Sequence, residues 1–256
     1  MPAKPKTPKP EGKPVRLHVR IARGGLCSRR AAEKLIAEGR VTVNGELVIE
    51  MGRQVSSNDE VRVDGELVRV VEHITVVMNK PLGVITTLSD PQRRPTIARY
   101  LSEYGVMLKP VGRLDMDTEG LLICTNDGDL AMRLMHPRYG VEKEYHVIVN
   151  GIPDEKALTQ LRKGVYIEGG KTAPAKVDII HAEPTKNSTS LKVVLHEGRK
   201  RQVRLMCEAV GHKVLALKRT RYGPLYVKGM RKGEVRRLGI KEVNELRALV
   251  GLGSDS

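Results

Sequence analysis

The stretch Val111–Gly128, VGRLDMDTEGLLICTNDG, decides between two kinds of fold. Its alternating acids, Asp115, Asp117 and Glu119, followed by Gly120, match the opening of a helix-flanked calcium loop. Such a loop needs a short oxygen ligand at its fifth position, glycine at its sixth and a bidentate glutamate at its twelfth. Counted from Asp115, the sixth position is Gly120, but the fifth is the longer Glu119 and the twelfth is Asn126. The closing ligand is missing. The run LLICT after the glycine is short, apolar and bounded by turn residues, which predicts a buried strand where the loop would need a helix. The acids therefore read either as a polar turn ahead of a strand or as a site in which one of them does chemistry.

The whole chain favours chemistry on a polyanion. In 256 residues, Lys and Arg outnumber Asp and Glu 45 to 30, a formal charge of +15. The excess lies in two blocks. Residues 1–70 carry 14 basic and 9 acidic side chains, and residues 196–237 carry 13 and 3. Such blocks mark where phosphates would be met, and point to Arg199, Lys200, Arg201 and Arg219 as RNA contacts in the second. Phe and Trp are absent, so aromatic stacking on a base falls to seven Tyr.

Three scattered cysteines, Cys27, Cys124 and Cys207, form no Cys-x-x-Cys pair, which predicts reduced thiols and no metal site. No apolar run reaches membrane-spanning length, and the first residues lack an apolar signal core, so a cytoplasmic protein with no membrane partner is expected. Residues 1–14, with five Pro and four Lys, read as a disordered basic arm.

Residues 15–70 read as a small domain. Ser28 is placed to cap a helix, Ala32, Leu35 and Ile36 give it an apolar face, and Gly39 can end it. VTVNGELV and VRVDGELV then predict two paired hairpins with Asn44-Gly45 and Asp64-Gly65 turns. Residues 71–250 predict longer strands at HITVVMN, LLICT, EYHVIV, KVDIIH and SLKVVLH. Helices are expected near residues 96–101, 129–135, 153–161, 201–209 and 241–249. No Gly-x-Gly-x-x-Gly or phosphate-binding loop follows a strand, so no nucleotide cofactor is expected. The fold class is α+β around a mostly antiparallel sheet, with residues 251–256 as a flexible end.

Two resemblances sharpen this reading. GGLCSRRAAEKLIAEGRVTVNG resembles the alpha-L RNA-binding motif named after a ribosomal small-subunit protein. That resemblance implies that Arg20, Arg29, Arg30, Lys34 and Arg40 lie near phosphate. MNKPLGVITTLSDPQRRPT, the opening stretch, HPRYGVEKEYHV and EGRKRQVRLMCEAVGHKV, in that order, resemble the RsuA/RluB branch of the pseudouridine synthases. The match implies a catalytic domain that isomerises uridine in ribosomal RNA, with Asp115 as the catalytic carboxylate and Tyr145 packing on the target base. It also implies that Arg204 pairs with Asp115 and that Arg113 helps to hold the flipped nucleotide. The motif departs from many members after RQVR, where this chain has Leu205, Met206 and Cys207.

The implied reaction breaks the bond from ribose C1′ to base N1, turns the base and joins C1′ to C5, without net redox change or cofactor. A glycosidase usually needs two carboxylates. Uracil leaves as a delocalised anion and is retained, so one can suffice. Asp115 could add to C1′, add to C6, or remove the C2′ proton, and the sequence leaves the three open. Asp117 and Glu119 are expected to shape the turn and meet nearby arginines, and Asp127 and Asp129 to begin a helix. His136, His196 and His212 are expected to be structural, and Tyr139 and Tyr222 to pack. The expected partner is ribosomal RNA, of the large subunit by the long basic tail, or a ribosomal assembly intermediate, met by a monomer. Three other readings stay open: the same reaction on small-subunit 16S ribosomal RNA, a non-catalytic RNA-binding assembly factor, and an RNA glycosylase, which would liberate uracil.

Overall fold

The computed structural model describes residues 14–69 and 71–254. Most of the expected basic arm, residue 70 and the last two residues lie outside the described residues. Contacts divide the chain into two units, between His73 and Ile74. Among the described residues no helix is long and apolar enough to cross a membrane.

The first unit is built from local signals. A helix α1 (Leu17–Arg23), absent from the sequence reading, precedes α2 (Arg29–Ala37). Ser28 caps α2 by accepting from the Ala31 amide at 3.2 Å, and Gly39, at φ +68°, turns the chain away. Strands β1 (Val41–Val43) and β2 (Glu46–Leu47) form one hairpin, β3 (Val61–Val63) and β4 (Glu66–Leu67) the other, and β1 pairs with β3. Both turns hold two successive positive φ values, at Asn44-Gly45 and Asp64-Gly65, as the right-handed twist of two-residue hairpins requires. Leu17, Ile21, Ala32, Ile36 and the inward valines of β1 and β3 make the core.

The second unit is a mixed sheet. Its main strands are β5 (Thr75–Lys80), β6 (Glu119–Thr125), β7 (Lys143–Asn150), β8 (Lys176–Glu183), β9 (Ser188–Leu195), β10 (Val214–Tyr222) and β11 (Val235–Arg237), with two-residue strands at Lys109–Pro110 and Leu225–Tyr226 pairing with β6 and β10. They lie in the order β8-β9-β7-β10-β6-β5-β11. Every neighbouring pair is antiparallel except β10 with β6. The five expected strands are present. β10 and β11 are additions, and β10 is central. The helices are α3 (Gly128–Met135), α4 (Glu155–Lys163), α5 (Gln202–Ala209) and α6 (Ile240–Leu249), with a single turn at Ala98–Leu101.

β6 reads as a continuous apolar run because both its faces are covered. Leu121 and Ile123 pack with α3 and α6, while Leu122 and Cys124 pack with Met78, Val84, Ile97 and Leu114. Burying each of these large aliphatic side chains stabilises the fold by about 1.5–3 kcal/mol. The glycine before the run is explained by the seam with β10. Gly120 sits at φ +110°, and a Cβ there would lie 2.2 Å from the Arg219 carbonyl oxygen. The glycine that mimics a calcium loop is thus where two parallel strands approach too closely for any side chain.

Residues 250–253 are held by two arginines. Arg133 donates to the Val250 and Gly251 carbonyls at 3.0 and 2.8 Å, and Arg247 donates to Gly253 at 2.6 Å. Leu252 packs on the core.

Candidate active site

Asp115 is held from both sides. Before it, the Thr86 hydroxyl donates to the Leu114 carbonyl at 2.6 Å and accepts from the Leu114 amide at 3.2 Å, while the Leu114 side chain is buried. After it, the Thr118 amide closes a turn on the Asp115 carbonyl at 3.0 Å, and Gly120 locks the chain into the sheet. The carboxylate between these anchors is 38% exposed. It faces a cavity of about 500 Å³ also lined by Arg113, Tyr145, Arg199, Lys200 and Arg201. The structure therefore brings together two segments far apart in sequence. Tyr145 comes from β7, where its half-buried ring packs at the junction of two core clusters.

Arg204 does not take the place the resemblance implied. Its guanidinium donates to the Asp117 carbonyl at 2.7 Å, lies 3.2 Å from the Asp117 carboxylate, and reaches the Val214 carbonyl at 3.4 Å. It braces the turn through Asp117 and forms no ion pair with Asp115. The reason is its place on α5. Arg204 lies one turn into the helix, whereas Arg201, at the helix start in a left-handed conformation, is beside the turn. Arg201 Nη1 lies 4.0 Å from Asp115 Oδ2 and 3.4 Å from Asp117 Oδ2. Asp117 bridges the two arginines, as the sequence reading expected of it, and Glu119 meets Lys232 at 3.0 Å.

A second carboxylate in the cavity, Glu197, was missed by the sequence reading. It accepts from the Ala173 amide at 3.0 Å and from Gln202 at 2.5 Å, and lies 3.3 Å from Arg199 Nε. Three donors make it a brace rather than a proton carrier. No sequence signal distinguishes it from the surrounding polar loop. Asp115 is the carboxylate of this cavity that no donor saturates.

Two cations expected to face RNA are committed elsewhere. Arg219 is 2% exposed, donates to the Leu121 carbonyl at 2.7 Å and stacks 5.1 Å from the Tyr222 ring. A strand-centre arginine buried in the sheet cannot meet phosphate. Arg199 lines the cavity, but its guanidinium binds the carbonyls of Gly169, Gly170 and Lys171 at 2.8–3.2 Å and so clips a hairpin. Arg113 and Lys200 are exposed and make no hydrogen bond or ion pair among the described residues. They remain available to a polyanion.

Lys80, also without a role in the sequence reading, is fully buried at the end of β5. Its ammonium donates to the Val84 and Pro81 carbonyls at 2.7 and 3.0 Å. Burial pushes its pKa down to about 8, against the attraction of Asp115, Asp117 and Glu119. A positive charge therefore lies beneath the acidic turn. A lysine closing an otherwise apolar strand, ITVVMNK, was the signal.

In the first unit, Arg29 and Arg30 stand exposed at the start of α2, and Lys34 is exposed 3.6 Å from Glu38. Arg20 is half-buried. Arg40 is held by Asp64 through two hydrogen bonds of 2.8 and 2.5 Å, which leaves it a partly neutralised contact at best. His136 and His212 bond to the backbone, at the Arg138 amide and the Asn150 carbonyl, and the Tyr222 hydroxyl donates to the Leu134 carbonyl. All three are structural.

Comparison with known proteins gives the family. Residues 74–209 match the RNA pseudouridylate synthase family, and residues 15–61 match the S4 domain. The ribosomal large subunit pseudouridine synthase B of Bacillus subtilis (strain 168) is 42% identical over 94% of this chain and 99% of its own length. An uncharacterised RNA pseudouridine synthase of Aquifex aeolicus is 41% identical over 93% of this chain and 96% of its own. A solved pseudouridylate synthase shares 31% identity and a TM-score of 0.65, covering 91% of this chain and 99% of that one. The family model, the S4 match ahead of it and relatives alike from end to end agree, and the chain belongs to the RNA pseudouridylate synthase family.

Proposed function

We propose that this enzyme converts a specific uridine of large-subunit ribosomal RNA to pseudouridine, with Asp115 as its single catalytic carboxylate acting on a flipped base. The observation that carries the reading is the contrast within one cavity: Glu197 is saturated by three donors, while among the described residues Asp115 has no ion-pair partner but Arg201, at 4.0 Å. A uridine turned out of its stack would enter beside Tyr145. The ring would offset part of the lost stacking, at about 1–3 kcal/mol per base. Arg113, Lys200 and Arg201 would meet its phosphates. Asp115 then assists the exchange of the C1′–N1 bond for a C1′–C5 bond, in which C5 loses its proton and N1 gains one, with Arg204 holding its turn through Asp117. No metal or nucleotide is needed, because the uracil anion is its own electron sink. The large-subunit target rests on the name of the Bacillus relative and on that relative's coverage from end to end. The place of action is the cytoplasm, on ribosomal RNA or an assembly intermediate, as a monomer.

Carbodiimide mapping of pseudouridine in both ribosomal RNAs tests this, using cells with and without the gene and rescue by wild type or Asp115→Asn. One large-subunit site should vanish and return only with the wild type. Rescue by Asp115→Asn would remove Asp115 as the catalytic carboxylate, and an unchanged pattern would return the protein to the class of binding factors.

A further inference from the structure

The turn that presents Asp115 has a second side. Met116 and Asp117 line another cavity, of about 790 Å³, and Arg201 borders both. Three apolar side chains of this second cavity, Leu82, Met116 and Leu215, are 55%, 51% and 56% exposed. Single exposed aliphatics are ordinary, but three around one concavity mark a surface that is covered in use. Around them stand Arg201, Arg204 and Lys213, and the Arg204 Nε is buried without a partner among the described residues.

We propose that this cavity holds a second unstacked nucleotide of the same RNA, its base against Leu82, Met116 and Leu215 and its phosphate on Arg201 and Lys213. The inference rests on the reading of the Asp115 cavity as the uridine site. Two features select RNA over another polyanion. The apolar walls suit the flat face of a base. The cavity also continues across one turn from the place where the reacting uridine would lie, so one strand can fill both. Its carboxylates narrow the base. Asp117 is held by Arg201 and Arg204, whereas Glu208 has no partner among the described residues. A carboxylate accepts from the exocyclic amine of adenine, cytosine or guanine and repels the carbonyl edge of uracil. The cavity therefore reads a neighbour of the target and contributes to the choice of site.

The test uses the full-length protein and a synthetic stem-loop carrying the mapped uridine, tritiated at C5, with an abasic ribose placed in turn at each flanking position. For the wild type, one flanking position should raise KM by about tenfold when abasic, with kcat little changed. Leu82→Ser and Leu215→Ser, at exposed positions that leave the fold intact by circular dichroism, should raise KM similarly on intact RNA and add nothing on the abasic RNA. Glu208→Gln should relax the discrimination against uridine at that same position. Additive losses, or a wild type indifferent to every abasic position, would overturn the second site while leaving the enzyme reading intact. A wild type that releases no tritium from intact RNA would instead overturn the function on which the inference rests.

Discussion

The two units use basic residues in opposite ways. In the first, α2 and both hairpins are specified within a few residues of themselves, and Arg29, Arg30 and Lys34 stay on the outside. In the second, the turn that carries Asp115 and the strand after it are held by contacts across 84 to 98 residues of sequence, from Arg201, Arg204 and Arg219. Arg219, Lys80 and Lys143 are buried there. Where elements are local, these basic side chains stay at the surface. Where the fold is assembled from distant segments, basic side chains also supply internal braces.

The sharpest way to break this comparison is at the seam. Gly120→Ala combines an unfavourable φ with a collision against the Arg219 backbone, and should destabilise the second unit by about 4 kcal/mol. Urea unfolding gives the size of the loss, and hydrogen exchange should place it in β5, β6 and β10 while the hairpins of the first unit keep their protection. Wild-type stability would mean that the seam does not hold the turn.

A smaller effect separates buried cations from exposed ones by pH. Burial pushes both Lys80 and Lys143 down to about 8, from an ordinary value of 10.5. Between those values the unfolded chain binds protons that the folded chain does not, so stability should rise with pH through this window. Each lysine contributes at most about 1.4 kcal/mol per pH unit. Below pH 8 the full penalty persists. Lys80→Met should remove about half of the rise, measured by denaturation from pH 7 to 10, and an unchanged slope would place the Lys80 ammonium in water.

The gentlest test concerns salt. Replacing Arg29 and Arg30 together by Ala should lower the slope of log affinity against log salt by about two, because two phosphate contacts are lost. Arg219→Met should leave the slope unchanged. A fall on removing Arg219 would contradict its burial.

This contrast also sets what could be read in advance. Ser28, Gly39 and the two turn dipeptides were legible because capping and hairpin geometry depend on neighbours. The buried strands β5 and β6 were legible as uninterrupted apolar runs. β10 was not, because VLALKRTRY places Lys218, Arg219 and Arg221 where a central strand usually has aliphatics. Shifts in its register with β7 further disturb the alternation. At the site, Asp115, Tyr145 and Arg113 were named by resemblance and meet in one cavity. The partner of Arg204 was misassigned because carboxylates two residues apart differ only in which side of the turn they serve. Glu197 went unnoticed because nothing marks it within a polar loop, and Lys80 because its place beneath the acids of the turn is set by the pairing of distant strands.

The central claim is that Asp115 reacts and Asp117 braces. Single-turnover tritium release from 5-tritiated uridine in the target RNA, comparing Asp115→Asn with Asp117→Asn, tests it most directly. The account predicts no release from Asp115→Asn at RNA affinity within a few fold of wild type, and slowed but measurable release from Asp117→Asn. Release by Asp115→Asn, with Asp117→Asn inert, would contradict it.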